Sequence, residues 1–107
     1  MFEYRFYLNK VITPAILDVN IDLGFDVSVN QLVVVKNYAH YPKEKHPRLY
    51  ELELEYMRNI LEQKTEKRLI SFGRDHRNRR QVVIFLSEGK ILNDKIMEYH
   101  NIIKNYR

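Results

Sequence analysis

The chain contains no cysteine, which excludes disulfide frameworks and thiolate metal sites. Its longest apolar run is the five residues Val82–Leu86, far short of the roughly 20 that a membrane-spanning helix needs. Glycine occurs three times, and never in a phosphate-cradling pattern: Gly89 is followed by Lys90 alone, so nucleotide hydrolysis on a glycine-rich loop is not expected. Serine is as scarce. Ser28, Ser71 and Ser87 lack a glycine-flanked elbow, and no nucleophile arrangement is legible. No cofactor is implied. The segment Met1-Phe2-Glu3-Tyr4-Arg5-Phe6 carries charges where a signal peptide needs apolar residues, so a cytoplasmic location is expected rather than export. Alanine, glycine and proline together number 8, against 41 for Ile, Asn, Lys, Tyr and Phe. That bias follows AT-rich codons and points to an AT-rich genome, such as a low-GC bacterium, its phage, or an archaeal virus.

What is present is a folded domain with an uneven charge. The 107 residues, 45% hydrophobic and 30% charged, fit one compact domain with a single core. The net charge is +4, but residues 1–30 hold two basic and four acidic groups while Lys64–Arg80 holds seven basic and two acidic. At the peak of that stretch, Gly73–Arg80 packs four arginines and a histidine into eight residues. Clustered charge of this kind predicts an anionic partner better than net charge does.

Periodicity supplies the frame. Phe2, Tyr4, Phe6 and Leu8 alternate with polar neighbours as a half-buried strand does. From Leu17 to Asn30 the alternation is unbroken, which predicts a strand or hairpin. A competing helix is signalled by Thr13-Pro14 as N-cap and first residue and by Gly24 as its end. Gln31–Tyr38 reads as a buried strand and residues 37–47 as a loop. Pro47 opens a helix over Arg48–Lys67 with Leu49, Leu52, Tyr56 and Ile60 on its apolar face. Arg68–Phe72 and Arg80–Ser87 form a hairpin. A last helix follows Ser87, with Leu92, Ile96, Tyr99, Ile103 and Tyr106 as its stripe. The fold class expected is α+β: a mainly antiparallel sheet of four to five strands with two amphipathic helices packed on one face.

The arginine segment is the leading functional candidate. Guanidinium forks match phosphate oxygens, so Arg74, His76, Arg77, Arg79 and Arg80, with Lys67 and Arg68 at the hairpin base, form the expected nucleic-acid-binding set. The alternative is a solvated loop whose arginines pair with Glu51, Glu55, Glu62 or Glu66 of the preceding helix. Asp18, Asp22 and Asp26 with Asn20 would lie on one strand face at roughly 7 Å intervals. They fail the EF-hand pattern, with Leu23 at the sixth position and Val29 at the twelfth, and read as a polar outer face. His40, His46, His76 and His100 match no zinc spacing, so no metal site is expected. His40 and His46, in a proline-bounded loop with Tyr38 and Tyr41, are the most suggestive pair; His100 is read as packed or facing solvent.

Three functions fit these residues. The first is a small basic nucleic-acid-binding module, for DNA or RNA, that contacts phosphates through the hairpin tip and can act as a homodimer. The second is a phage or viral accessory protein engaging a host protein, with Tyr38, His40 and Tyr41 as contact area. The third is a small metal-independent ribonuclease using His, Arg and Tyr.

Overall fold

The computed structural model describes residues 3–104, apart from the side chain of Glu88. Phe2 and Tyr106, which periodicity assigns to the first strand and the last helix, lie outside the described residues. Five strands and two α-helices follow in the order β1 (Glu3–Thr13), β2 (Ile16–Gly24), β3 (Val27–Val35), α1 (Pro47–Leu61), β4 (Arg68–Arg74), β5 (Arg80–Phe85) and α2 (Leu92–Ile103), with one 3₁₀ turn at Ser87–Gly89. This is the α+β class read from the sequence. The sheet, however, is mixed and closes on itself as a barrel in the order β1-β2-β3-β5-β4. β1 pairs with β4 to shut the ring, and β3 runs parallel to β5 through Val33↔Arg80 to Val35↔Val82. Among the described residues no helix is long and apolar enough to cross a membrane.

Local chemistry explains the departures from simple periodicity. At the β1–β2 turn, Thr13 Oγ1 accepts hydrogen bonds from the N–H groups of Ala15 and Ile16 at 3.2 and 3.0 Å. The hydroxyl that resembles a helix cap in the sequence therefore caps a turn, and the competing helix does not form. In β1 the register shifts between Leu8 and Lys10. This bulge at Asn9 moves the inward face from even to odd positions, so that Val11 is buried and Lys10 exposed. The long alternation is a hairpin: Leu17, Val19 and Ile21 of β2 are in the core, while Leu23, Phe25, Val27 and Val29 run beyond the barrel and are exposed.

The helices occupy one end of the barrel. α1 leaves from the end of β3 and delivers the chain to the start of β4, and these points lie at the same end because β3 parallels β5 and β5 opposes β4. Its Tyr50, Leu54, Met57 and Leu61 join Phe6, Val19, Val35, Leu69 and Ile84 of the strands in one core, to which α2 adds Leu92 and Ile96. The helices are fastened to each other by the stacked rings of Tyr56 and Tyr99, 4.0 Å apart. Tyr56 Oη donates to the Lys95 carbonyl, and Tyr99 Oη to that of Leu52.

One core-facing position of α1 is charged. Glu53 is only 1% exposed, and a carboxylate in that setting requires donors. Tyr38 Oη and the Tyr41 backbone N–H supply them. His100 of α2 brings Nε2 within 3.0 Å of Oε2. Burial, followed by the hydrogen bond to Glu53 and its charge, pushes the Tyr38 hydroxyl above its ordinary pKa, so it stays a donor. Glu53→Ala should lower the unfolding free energy by about 2–3 kcal/mol, because it strands the Tyr38 hydroxyl and the Tyr41 N–H and removes the carboxylate beside His100. Urea denaturation checks this, and a change below about 0.5 kcal/mol would contradict the assignment.

Candidate nucleic-acid interface

The arginine segment forms the β4–β5 loop, and one carboxylate organises it. Asp75 Oδ1 accepts the backbone N–H groups of Arg77 and Arg79 at 3.0 and 2.8 Å. Asp75 Oδ2 takes the Arg79 guanidinium through Nε at 3.0 Å and Nη2 at 2.9 Å. The loop closes further through Asp75 N–H to the Arg79 carbonyl and Asn78 N–H to the Asp75 carbonyl, at 2.7 and 2.9 Å. Asn78 takes the left-handed turn with φ 64°, a conformation asparagine tolerates better than most residues. The Arg79 backbone N–H is the main reason the Asp75 carboxyl sits below its ordinary pKa. Its guanidinium and the Arg77 N–H reinforce that effect against partial desolvation.

This arrangement sorts the predicted contact residues. Arg79 is spent inside the loop on Asp75. Arg74 and Arg77 are exposed with His76; Arg74 Nη1 donates to the Asn78 carbonyl at 2.9 Å. Arg80 is partly buried and donates to Ser71 Oγ at 3.3 Å. Among the described residues no carboxylate pairs with Arg74, Arg77 or Arg80, so the α1 glutamates do not neutralise them. Glu66 pairs instead with Arg5 at 2.6 Å and Arg68 at 3.5 Å.

Lys67 and Arg68 stand apart from the loop. Arg68 starts β4, with Lys67 just before it, and Arg74 ends it, a separation of roughly 20 Å at the rise of a strand. Lys67 is buried. Its ammonium donates to the Gln63 and Thr65 carbonyls, closing the chain where α1 gives way to β4, and burial lowers its pKa. A hollow of about 510 Å³ beside it is lined by Arg5, Lys64 and Lys67 among others, but Arg5 and Lys67 are already engaged.

The remaining candidates fall elsewhere. Asp18 faces outward beside Asn9, Asn20 and Asn30; Asn30 Nδ2 donates to Asp18 Oδ1 at 2.8 Å and to Asn20 Oδ1 at 3.0 Å. Among the described residues no group of three or more metal-ligating side chains converges. His40, His46 and His100 gather with Tyr38, Tyr41 and Tyr50 around the buried Glu53, ring centroids 5.4 to 6.5 Å apart. That cluster follows β3, at the helix-covered end, whereas the arginine loop precedes β5 at the other. Sequence reasoning passed over Glu53, although its place among Leu49, Tyr50, Leu54 and Met57 on the apolar side of α1 was the available signal.

Comparison with protein-family models, with curated proteins and with solved structures gives no match.

Two outcomes test this geometry. Because Asp75 titrates below its ordinary value, its hold on the loop is present above the unfolded carboxylate pKa of about 3.9 and is lost only as pH falls through the lower folded value. In an NMR titration the movement of the Arg77 and Arg79 amide signals should be centred below the ordinary carboxylate value of about 3.9; movement centred at or above that value contradicts the network. Lys67→Met should cost about 1–2 kcal/mol in urea unfolding by stranding two carbonyls, while leaving the Arg74–Arg80 amide signals unmoved.

Proposed function

We propose that the protein is a small nucleic-acid-binding module that holds the phosphate backbone on the β4–β5 loop, through Arg74 and Arg77 with His76 beside them. The observation that carries this reading is the Asp75 network: it absorbs Arg79, stiffens the backbone and leaves two guanidinium groups exposed without carboxylate partners. A rigid loop loses little entropy when it binds, and each phosphate it neutralises releases counterions.

Architecture adds support of a weaker kind. The ring order β1-β2-β3-β5-β4, with a helix between β3 and β4, is similar to small Greek-key barrels of the OB type. Those barrels bind oligonucleotides or oligosaccharides on the β2–β3 face and the β1–β2 and β4–β5 loops. A likeness of architecture does not fix function. In this chain the outer β2–β3 face carries Asp18, Asn20, Asp22 and Asn30, which do not attract phosphates, so the basic β4–β5 loop is the part that fits. The ribonuclease alternative lacks such support, since three of the four histidines gather at the far end of the barrel from the arginines.

Two phosphate contacts predict weak binding with a shallow salt dependence: a slope of log K against log salt of about −1.4 for single strands. Fluorescence anisotropy with labelled single-stranded and duplex oligonucleotides at low salt tests this. Arg74→Glu with Arg77→Glu should abolish binding without altering the fold, whereas Lys67→Met should leave it unchanged. No binding by the native chain to DNA or RNA at low salt would remove the proposal.

A further inference from the structure

The tip of the β2–β3 hairpin has no part in the phosphate contacts, yet it breaks two rules at once. Phe25 is fully exposed, and its neighbours Leu23, Val27 and Val29 are exposed as well. Phe25 and Asp26 both adopt left-handed backbone conformations, φ 53° and 60°. Tight hairpins place Asn-Gly there because a bulky side chain at positive φ is strained. A strained position occupied by a large exposed ring calls for a binding role rather than a folding one.

The flanking charges select the partner. Asp22 and Asp26 bracket the ring, so an anionic surface, whether nucleic acid or lipid headgroups, is repelled. The fitting surface is an apolar hollow with a basic rim. The protein carries one at the same end of its barrel: a mouth of about 320 Å³ walled by Ile21, Leu23, Val29, Leu69 and Val82, with Arg80 at its edge. That end is left open because α1 covers the opposite one. Tip and mouth lie at the same end because the β2–β3 turn precedes β3, the arginine loop precedes β5, and these strands are parallel.

We propose that two copies of this chain associate about a two-fold axis at the open barrel end, each seating Phe25 in the partner's mouth with Asp22 and Asp26 facing the partner's arginine-bearing rim. A two-fold contact needs one self-complementary patch, and an acidic apolar tip beside a basic apolar mouth is such a patch. Arg80 serves the mouth, while Arg74 and Arg77 remain outside for phosphates, so the dimer does not depend on the nucleic-acid reading.

The test is sedimentation velocity over a concentration series at low salt, without nucleic acid. The native chain should show a species of twice the 13.0 kDa chain mass, dissociating as salt is raised. Phe25→Gly suits the left-handed backbone better than phenylalanine does, so the variant keeps its fold, as circular dichroism would check. It should weaken association on the order of 100-fold or more. Asp26→Asn, which tolerates the same backbone, should weaken it several-fold. A native chain monomeric throughout the series overturns the proposal, as does a dimer indifferent to both substitutions. A monomer whose residue 24–27 amide signals shift on adding an oligonucleotide would assign the tip to nucleic acid and overturn it equally.

Discussion

Closure of the sheet is the constraint from which the rest of the molecule follows. β3 can lie parallel to β5 only if the chain crosses from the end of one to the start of the other, and α1 with β4 makes that crossing. Once β1 seals the ring against β4, the barrel has two unlike ends. The end that α1 reaches is covered by its apolar face. The other receives the β2–β3 turn and the β4–β5 loop, and nothing among the described residues covers it. Beyond the barrel the β2–β3 hairpin pairs, among the described residues, only with itself, so that end presents side chains, loop backbone and the edges of one projecting hairpin to a partner.

Two carboxylates then set the character of the two ends, and they do it differently. Glu53 is buried, accepts the Tyr38 hydroxyl and the Tyr41 N–H of the β3–α1 segment, and lies 3.0 Å from His100 Nε2 of α2, which makes it a meeting point between elements. Asp75 sits in a surface loop and takes its donors from residues two and four positions away. Its effect is local: it fixes one loop and cancels one of four arginines. The basic character visible in the sequence is therefore reduced in the fold to a few exposed groups, and their placement matters more than their number.

Much of the frame was legible. Alternation gave the strands, Pro47 marked the first residue of α1, and the 3.6-residue spacing identified both helices. The barrel was not legible, because closure depends on which strands meet across 60 residues and more, as Tyr4 meets Leu69, and periodicity carries only local information. The Leu17–Asn30 alternation marked one face correctly but could not tell where the core ends and the projecting hairpin begins. In the candidate site, Arg74, His76 and Arg77 are all exposed at the β4–β5 loop. Lys67 and Arg68 were separated from them by the length of β4, which sequence proximity concealed. Thr13 misled in the other direction, since one hydroxyl can cap a helix or a turn with the same hydrogen-bond chemistry.

The central claim is that the open end of the barrel is the working end, with the β4–β5 loop as its phosphate contact. The most direct test is to map amide chemical-shift changes in the native chain as a single-stranded oligonucleotide is added at low salt. The account predicts changes confined to Arg74–Arg80 and the strand ends beside it, reversed by added salt, with the signals of His40, His46 and His100 unmoved. Changes centred on the histidine cluster at the helix-covered end, or none at all, would contradict it.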